Sequence, residues 1–112
     1  EHHKIAAEFH RLQAEIPKWE EQNMPPIEIA ARIHHRLVWI HPFQGGNGRW
    51  ARMVAVVYLR KKILPMIEWP VDIKVIKSDF RPRYIAALKA ADEGDLSLLI
   101  ELHKQYWRGS IL

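Results

Sequence analysis

Between His41 and Arg52 the chain reads HPFQGGNGRWAR: an imidazole, a Pro-Phe pair, three of the five glycines, an asparagine and two guanidiniums. Pro42 disfavours helical geometry at the residue before it, so any helix arriving at His41 must stop there. A helix restarting near Asn47 or Gly48 would turn its first N–H groups, and the positive end of its dipole, back into the loop. Glycines let that backbone approach a ligand without Cβ obstruction and adopt positive φ where needed. Together these features make a phosphate cradle. Arg49 and Arg52, three apart, share a helix face, and guanidinium forks suit phosphate oxygens. A neutral imidazole at the opposite lip, His41, can take a proton from a hydroxyl attacking the bound phosphate. Each feature alone also fits an ordinary surface loop; the order and spacing of all of them predict an anion site.

The elements that must hold this segment read as helices. Ile5, Phe9, Leu12 and Ile16 form one apolar stripe, which Pro17 is expected to close. NMPPIE marks a loop and a restart, with Pro26 at a helix N-terminus. Ile29, Ala30, Ile33, Leu37 and Ile40 form the next stripe, ended by Pro42. After the glycines, Trp50, Met53, Val54, Val57 and Tyr58 suggest the inward face of a third helix. Leu64 to Ile76, with Pro65 and Pro70, reads as a loop with extended pieces. A fourth helix is expected over about Arg81 to Glu93, with Tyr84, Leu88 and Ala91 inward and Gly94 as its stop. Asp95 can cap a fifth, through Leu99, Leu102 and Tyr106. The reading is an all-α fold of about five helices, one domain over residues 1–112.

Composition narrows the function classes. The chain has 112 residues, 48% hydrophobic and 27% charged, which is too apolar for a disordered segment. It has no cysteine, which excludes disulfides and thiolate metal sites. No run approaches the ~18 apolar residues of a membrane span, and no signal-peptide pattern opens the chain. A cytoplasmic location without membrane attachment is the expectation, as is a C-terminal piece of a longer protein, since the first residue is Glu1. The net charge of +4 is spread out. Arg60-Lys61-Lys62 is the one tight basic cluster, and it suits a helix C-terminus, so nucleic acid is not the expected partner.

HPFQGGNGRWAR closely resembles the signature of the Fic family, HPFx(D/E)GNGRxxR, with every fixed position matched but one. IEIAARIHHRLVWIHPF is similar to the helix leading into the Fic loop, and RPRYIAALKAADEGDLSLLIEL to the trailing segment, so the resemblance runs from about Pro26 to Leu102. It implies a compact helical Fic/Fido-type domain that transfers AMP from ATP to a Ser, Thr or Tyr hydroxyl of a target protein. By the same resemblance His41 is the base and Phe43 anchors the loop in the core. Gly46, Asn47 and Gly48 form the anion hole for the α- and β-phosphates. Arg49 and Arg52 bind the triphosphate tail and stabilise the departing pyrophosphate. Partners implied are the target protein and an inhibitory antitoxin or N-terminal segment.

The mismatch is Gly45, where the family carries Asp or Glu as its link to Mg²⁺. Mg²⁺ takes oxygen ligands, typically one or two carboxylates with phosphates and waters, so weakened Mg²⁺ use and lowered activity are expected. Two unit charges ~4 Å apart are worth ~4 kcal/mol at an effective dielectric near 20, against 1.36 kcal/mol for a tenfold change in rate. Glu68 and Asp72 are the weak substitutes for the missing carboxylate. Gly45 also keeps open a degenerate module that binds nucleotide and acts through protein contacts. A phosphotransferase of the death-on-curing kind ranks third, because the loop retains GNGR. No target-docking flap is seen before Pro26. SLLIEL, Ser97 to Leu102, resembles the family's inhibitory motif (S/T)xxxE(G/N) but reads as part of the ordinary fold.

His34 and His35 point about 100° apart on one helix, which suits packing or hydrogen bonding rather than chelation of one metal. His2 and His3 read as frayed terminus. Trp19, Trp39, Trp69 and Trp107 are expected in the core or at its rim. Trp50 either borders the nucleotide or packs on its helix face.

Overall fold

Pro25-Pro26 starts the helix around which the others assemble. In the computed structural model, which describes residues 2–70 and 79–111, this helix α2 spans Pro26–Ile40, with Pro26 at its first turn, where a missing N–H costs nothing. It buries Ile27, Ile29, Ala30, Ala31, Ile33, His34, Leu37 and Ile40. A helix apolar on so many sides has to be enclosed. Helices α1 (His2–Glu21), α3 (Asn47–Lys61), α4 (Phe80–Asp92) and α5 (Ser97–Tyr106) all pack against it. A 3₁₀ turn over Arg108–Ile111, not foreseen from the sequence, follows α5.

Three apolar clusters hold the assembly. Leu12, Ile29, Ile33, Leu37 and Ala51 join α1, α2 and α3. Ala31, Phe80, Tyr84, Ala87, Leu99 and Leu102 join α2, α4 and α5. Ile27, Ala30, Ala55, Leu59 and Ile67 tie α2 and α3 to the loop after α3. That loop is stitched to the end of α5: Glu68 N–H donates to Tyr106 O at 2.8 Å, and Arg108 N–H to Met66 O at 3.1 Å.

Two expectations need correction. Pro17 does not end α1, which runs four residues further, to Glu21. Proline forfeits one backbone bond, but the added turn half-buries Trp19 beneath Arg32. It also brings Glu20 to the Tyr58 hydroxyl at 2.6 Å and to Lys62 Nζ at 2.7 Å. The inward face of α3 is also rotated from the expected one. Ala51, Ala55 and Leu59 are buried, whereas Met53 and Val57 are exposed. Small side chains face α2: Ala55 shares a cluster with Ala30, and Ala51 with Ile29, Ile33 and Leu37, and small residues let two helices approach closely. The larger residues of α3 then fall on its flanks. The fourth and fifth helices start and stop within two residues of expectation, with Gly94 at φ 98° between them. Of the Leu64 to Ile76 segment, residues 71–78 lie outside the described residues.

Ala55→Leu, forcing three carbons into this close contact, should cost about 1–3 kcal/mol, whereas Met53→Ala should change stability by less than about 0.5 kcal/mol. Denaturant midpoints of the two variants check the face assignment.

Candidate active site

His41 ends α2 in a left-handed conformation (φ 55°, ψ 60°), its N–H donating to Leu37 O at 3.2 Å. Pro42 excludes the helical region, and the left-handed one keeps this closing bond. The loop is then clasped by one side chain. Asn47 Oδ1 accepts from Phe43 N–H at 3.0 Å, and Nδ2 donates to Phe43 O at 2.8 Å. Nδ2 also lies 3.3 Å from His41 Nε2. The two Phe43 bonds fix which way round the amide sits, so Nε2 is the acceptor and the imidazole proton belongs on Nδ1. The lone pair of His41 therefore faces the glycine loop. Asn47 is 5% exposed; its side chain is occupied as the clasp, and what it can offer an anion is its backbone N–H.

Gly46 starts α3 with φ 79°, and its carbonyl accepts from Trp50 N–H at 2.9 Å. The amides of Asn47, Gly48 and Arg49 precede that first bond and have no carbonyl one turn back within the helix. No side chain caps them and no acidic residue lies in the first turn. Space at Gly48 is tight: a Cβ there would sit 3.2 Å from the Tyr84 hydroxyl and 3.3 Å from an Arg52 nitrogen. Gly45 is needed for neither conformation nor room: a Cβ there meets nothing within 4 Å.

Arg49 is exposed and Arg52 half-buried, and among the described residues neither pairs with a carboxylate. Arg52 lies over the Tyr84 ring, its guanidinium carbon 5.3 Å from the centroid. Phe43 departs from expectation. Its ring is 49% exposed and rests edge-on against Trp50 at 5.2 Å, outside the core. The loop is anchored by Phe43's backbone, through Asn47. Trp50 in turn packs on Phe9 at 6.0 Å. His41 also borders a cavity of about 720 Å³ lined by Lys4, Ile5, Arg11, Trp39 and Ile40.

Behind the loop lies a buried chain of polar groups. His103 Nδ1 is 2.8 Å from Leu99 O, and a carbonyl only accepts, so Nδ1 carries the proton. His103 Nε2 must then accept from His34 Nδ1–H at 3.1 Å. His34 Nε2 in turn accepts from the Tyr84 hydroxyl at 2.8 Å. Both histidines are fully buried. Burial holds His34 well below the usual imidazole range, with the charges of His103, Arg52 and His35 adding to the effect. Burial likewise brings His103 down to about 4. It also raises Tyr84, more than the Arg52 guanidinium beside it lowers it. His35 is separate: its Nε2 meets Asp92 at 2.9 Å.

The donor set does not fit a protein-held Mg²⁺. Residues 41–48 contain no carboxylate, and no group of three or more potential metal ligands occurs among the described residues. Glu68 is engaged by Arg108 at 3.2 Å, and Asp72 lies outside the described residues.

The profile of the Fic/DOC family matches residues 2–59, more than half of the chain. The chain belongs to the Fic/DOC family. Protein adenylyltransferase fic-1 of Caenorhabditis briggsae is 35% identical over 88 residues, 79% of this chain and 16% of that protein. Its Caenorhabditis elegans counterpart is 35% identical over 86 residues, 77% and 16%. Protein adenylyltransferase Fic of Drosophila ananassae is 32% identical over 92 residues, 82% and 17%. The solved structure of C. elegans Fic-1 superposes with a TM-score of 0.66 at 30% identity, covering 87% of this chain and 28% of that one. This Fic-family chain thus spans about a sixth of the length of the curated relatives it matches.

Against the sequence reading, the structure brings His41, Gly46, Asn47, Gly48 and the α3 arginines to one loop and the first turns of one helix. His103 was missed, and Tyr84 was read only as packing. The signal was present. His103 follows Leu99 by four and Leu102 by one, and His34 follows Ala30 by four, so each occupies a core register. Two buried imidazoles need partners, and each can serve the other.

Both histidines stay neutral in the fold, so as pH falls below about 6.5 the unfolded chain takes up protons first. Their stabilisation is complete above that pH and is lost as pH drops toward 4. The interval from 6.5 to about 4 for His103, at 1.36 kcal/mol per pH unit, is worth about 3 kcal/mol. Urea midpoints measured across this range should fall, and His103→Gln should flatten the decline. In the loop, Gly46→Ala should cost about 1 kcal/mol and Gly45→Ala should be neutral or slightly stabilising, read from thermal melts.

Proposed function

We propose that this chain is the Fic core of a protein adenylyltransferase, moving AMP from ATP to a Ser, Thr or Tyr hydroxyl of a target protein. One observation carries the reading. The start of α3, which no side chain caps, reaches the lone pair of His41 through the Asn47 side chain, and the same helix carries two arginines that pair with no carboxylate among the described residues. The relatives named protein adenylyltransferase support the same chemistry.

In this reading ATP lays its α- and β-phosphates against the amides of Gly46, Asn47 and Gly48, with the tail on Arg49 and Arg52. The target hydroxyl enters from the cavity beside His41 and displaces the Asn47 N–H from Nε2. Its oxygen forms the new bond to the α-phosphorus as the bond to the bridging oxygen breaks. The proton passes to His41 and the electron pair leaves with pyrophosphate, whose growing charge Arg52 and the helix dipole stabilise. Catalysis is then mainly positioning and electrostatics.

Gly45 favours a second reading, a domain that retains nucleotide binding with little transfer. Space at position 45 is open, so restoring the carboxylate is a clean test. Incubated with α-labelled ATP and a lysate, the parent should label protein, and His41→Ala should lose roughly 100-fold or more of that label. Gly45→Asp should raise transfer about tenfold and make it more dependent on Mg²⁺. Nucleotide binding without label in either the parent or Gly45→Asp selects the binding module. Label from γ-labelled ATP alone selects phosphotransfer and overturns the proposal.

A further inference from the structure

The buried polar chain behind the loop has a direction. Leu99 O can only accept. With that end fixed, every bond leading to it points one way: Tyr84 O–H to His34, His34 Nδ1–H to His103, and His103 Nδ1–H to Leu99 O, and at the far end the Arg52 guanidinium lies over the Tyr84 ring. Reversing the Tyr84 hydroxyl would leave His34 Nε2 without a donor. Four elements are therefore joined, since Arg52 is on α3, Tyr84 on α4, His34 on α2, and His103 and Leu99 on α5.

We propose that this one-way chain is a positioning device for Arg52, holding its guanidinium at the lip of the glycine loop before nucleotide arrives. The proposal rests on the phosphate reading of the site. A free arginine side chain has many rotamers to lose on gripping a phosphate. An arginine already seated over the Tyr84 ring, 5.3 Å from its centroid, loses few, and preorganisation of this kind appears as affinity. The chain is also shielded. Trp69 packs edge-on against His34 at 5.7 Å and against His103 at 4.9 Å. Arg52, Tyr84 and His103 face His34 from the other helices, and among them only Arg52 carries charge; His35, the neighbour on α2, is tied to Asp92. Hydrogen bonds in such a chain polarise one another, and the Tyr84 ring that the chain fixes is the surface on which Arg52 rests. Tyr84, His34 and His103 are positioning residues in this scheme, acting on nucleotide through Arg52.

The test is a double-mutant cycle on the intact protein, with the dissociation constant of ATP and the Arg52 Nε–H resonance as readouts. Tyr84→Phe keeps the ring and removes the oxygen. It should weaken ATP binding roughly tenfold, yet less than twofold in an Arg52→Ala background. His103→Leu removes the acceptor for His34. It should shift the Arg52 resonance in the nucleotide-free protein and weaken ATP binding, whereas His103→Gln, which carries an acceptor to the place of Nε2, should recover most of the affinity. Equal losses from Tyr84→Phe in both backgrounds would overturn the proposal, as would an Arg52 resonance indifferent to His103→Leu. If Arg52→Ala binds ATP as well as the parent, the phosphate reading fails instead, and the resonance still decides whether the chain holds the guanidinium.

Discussion

Helix α2 is enclosed by the other four helices, and that enclosure fixes both ends of the chemistry. Because α2 cannot slide or rotate without unpacking its neighbours, Pro42 stops it at one place and His41 emerges at one point. The same enclosure drives His34 into the interior, where a lone imidazole would be costly and where α4 and α5 must supply its partners. The loop and the buried polar chain are thus consequences of one packing arrangement, seen from opposite sides of α2.

Within that arrangement the motif residues divide their labour by physical property. Gly46 supplies a conformation that residues with a Cβ resist, and Gly48 supplies room for the Tyr84 hydroxyl. Asn47 supplies a rigid amide that holds the chain turn closed and lends a hydrogen bond to His41. Phe43 contributes its backbone more than its ring. Gly45 answers to no constraint of the fold, so its presence bears on chemistry rather than on folding. The packing of small α3 side chains on α2 brings the start of α3 up to the end of α2, which is why the glycine loop and His41 share one short segment.

The sequence by itself determined a good deal. Proline positions and apolar periodicity set the number and order of the helices. The His41 to Arg52 segment marked the candidate site, because helix breaks, glycines and guanidiniums act through the backbone beside them. Local rules sufficed there. They failed for Pro17, where tertiary contacts of Trp19 and Glu20 outweigh one lost backbone bond. They failed for the face of α3, because periodicity weighs large residues and the closest helix contact is made by small ones.

Only the tertiary structure decided what Asn47, Phe43 and His103 do. Whether an asparagine side chain faces a ligand or clasps its own loop depends on where a backbone four residues away has been placed. His34 and His103 are separated by most of the chain, and no local pattern couples an imidazole on α2 to one on α5 or sets the proton on each. Hydrogen-bond direction is a property of a completed network, fixed here by the Leu99 carbonyl, and its members meet only when α2, α4 and α5 have packed.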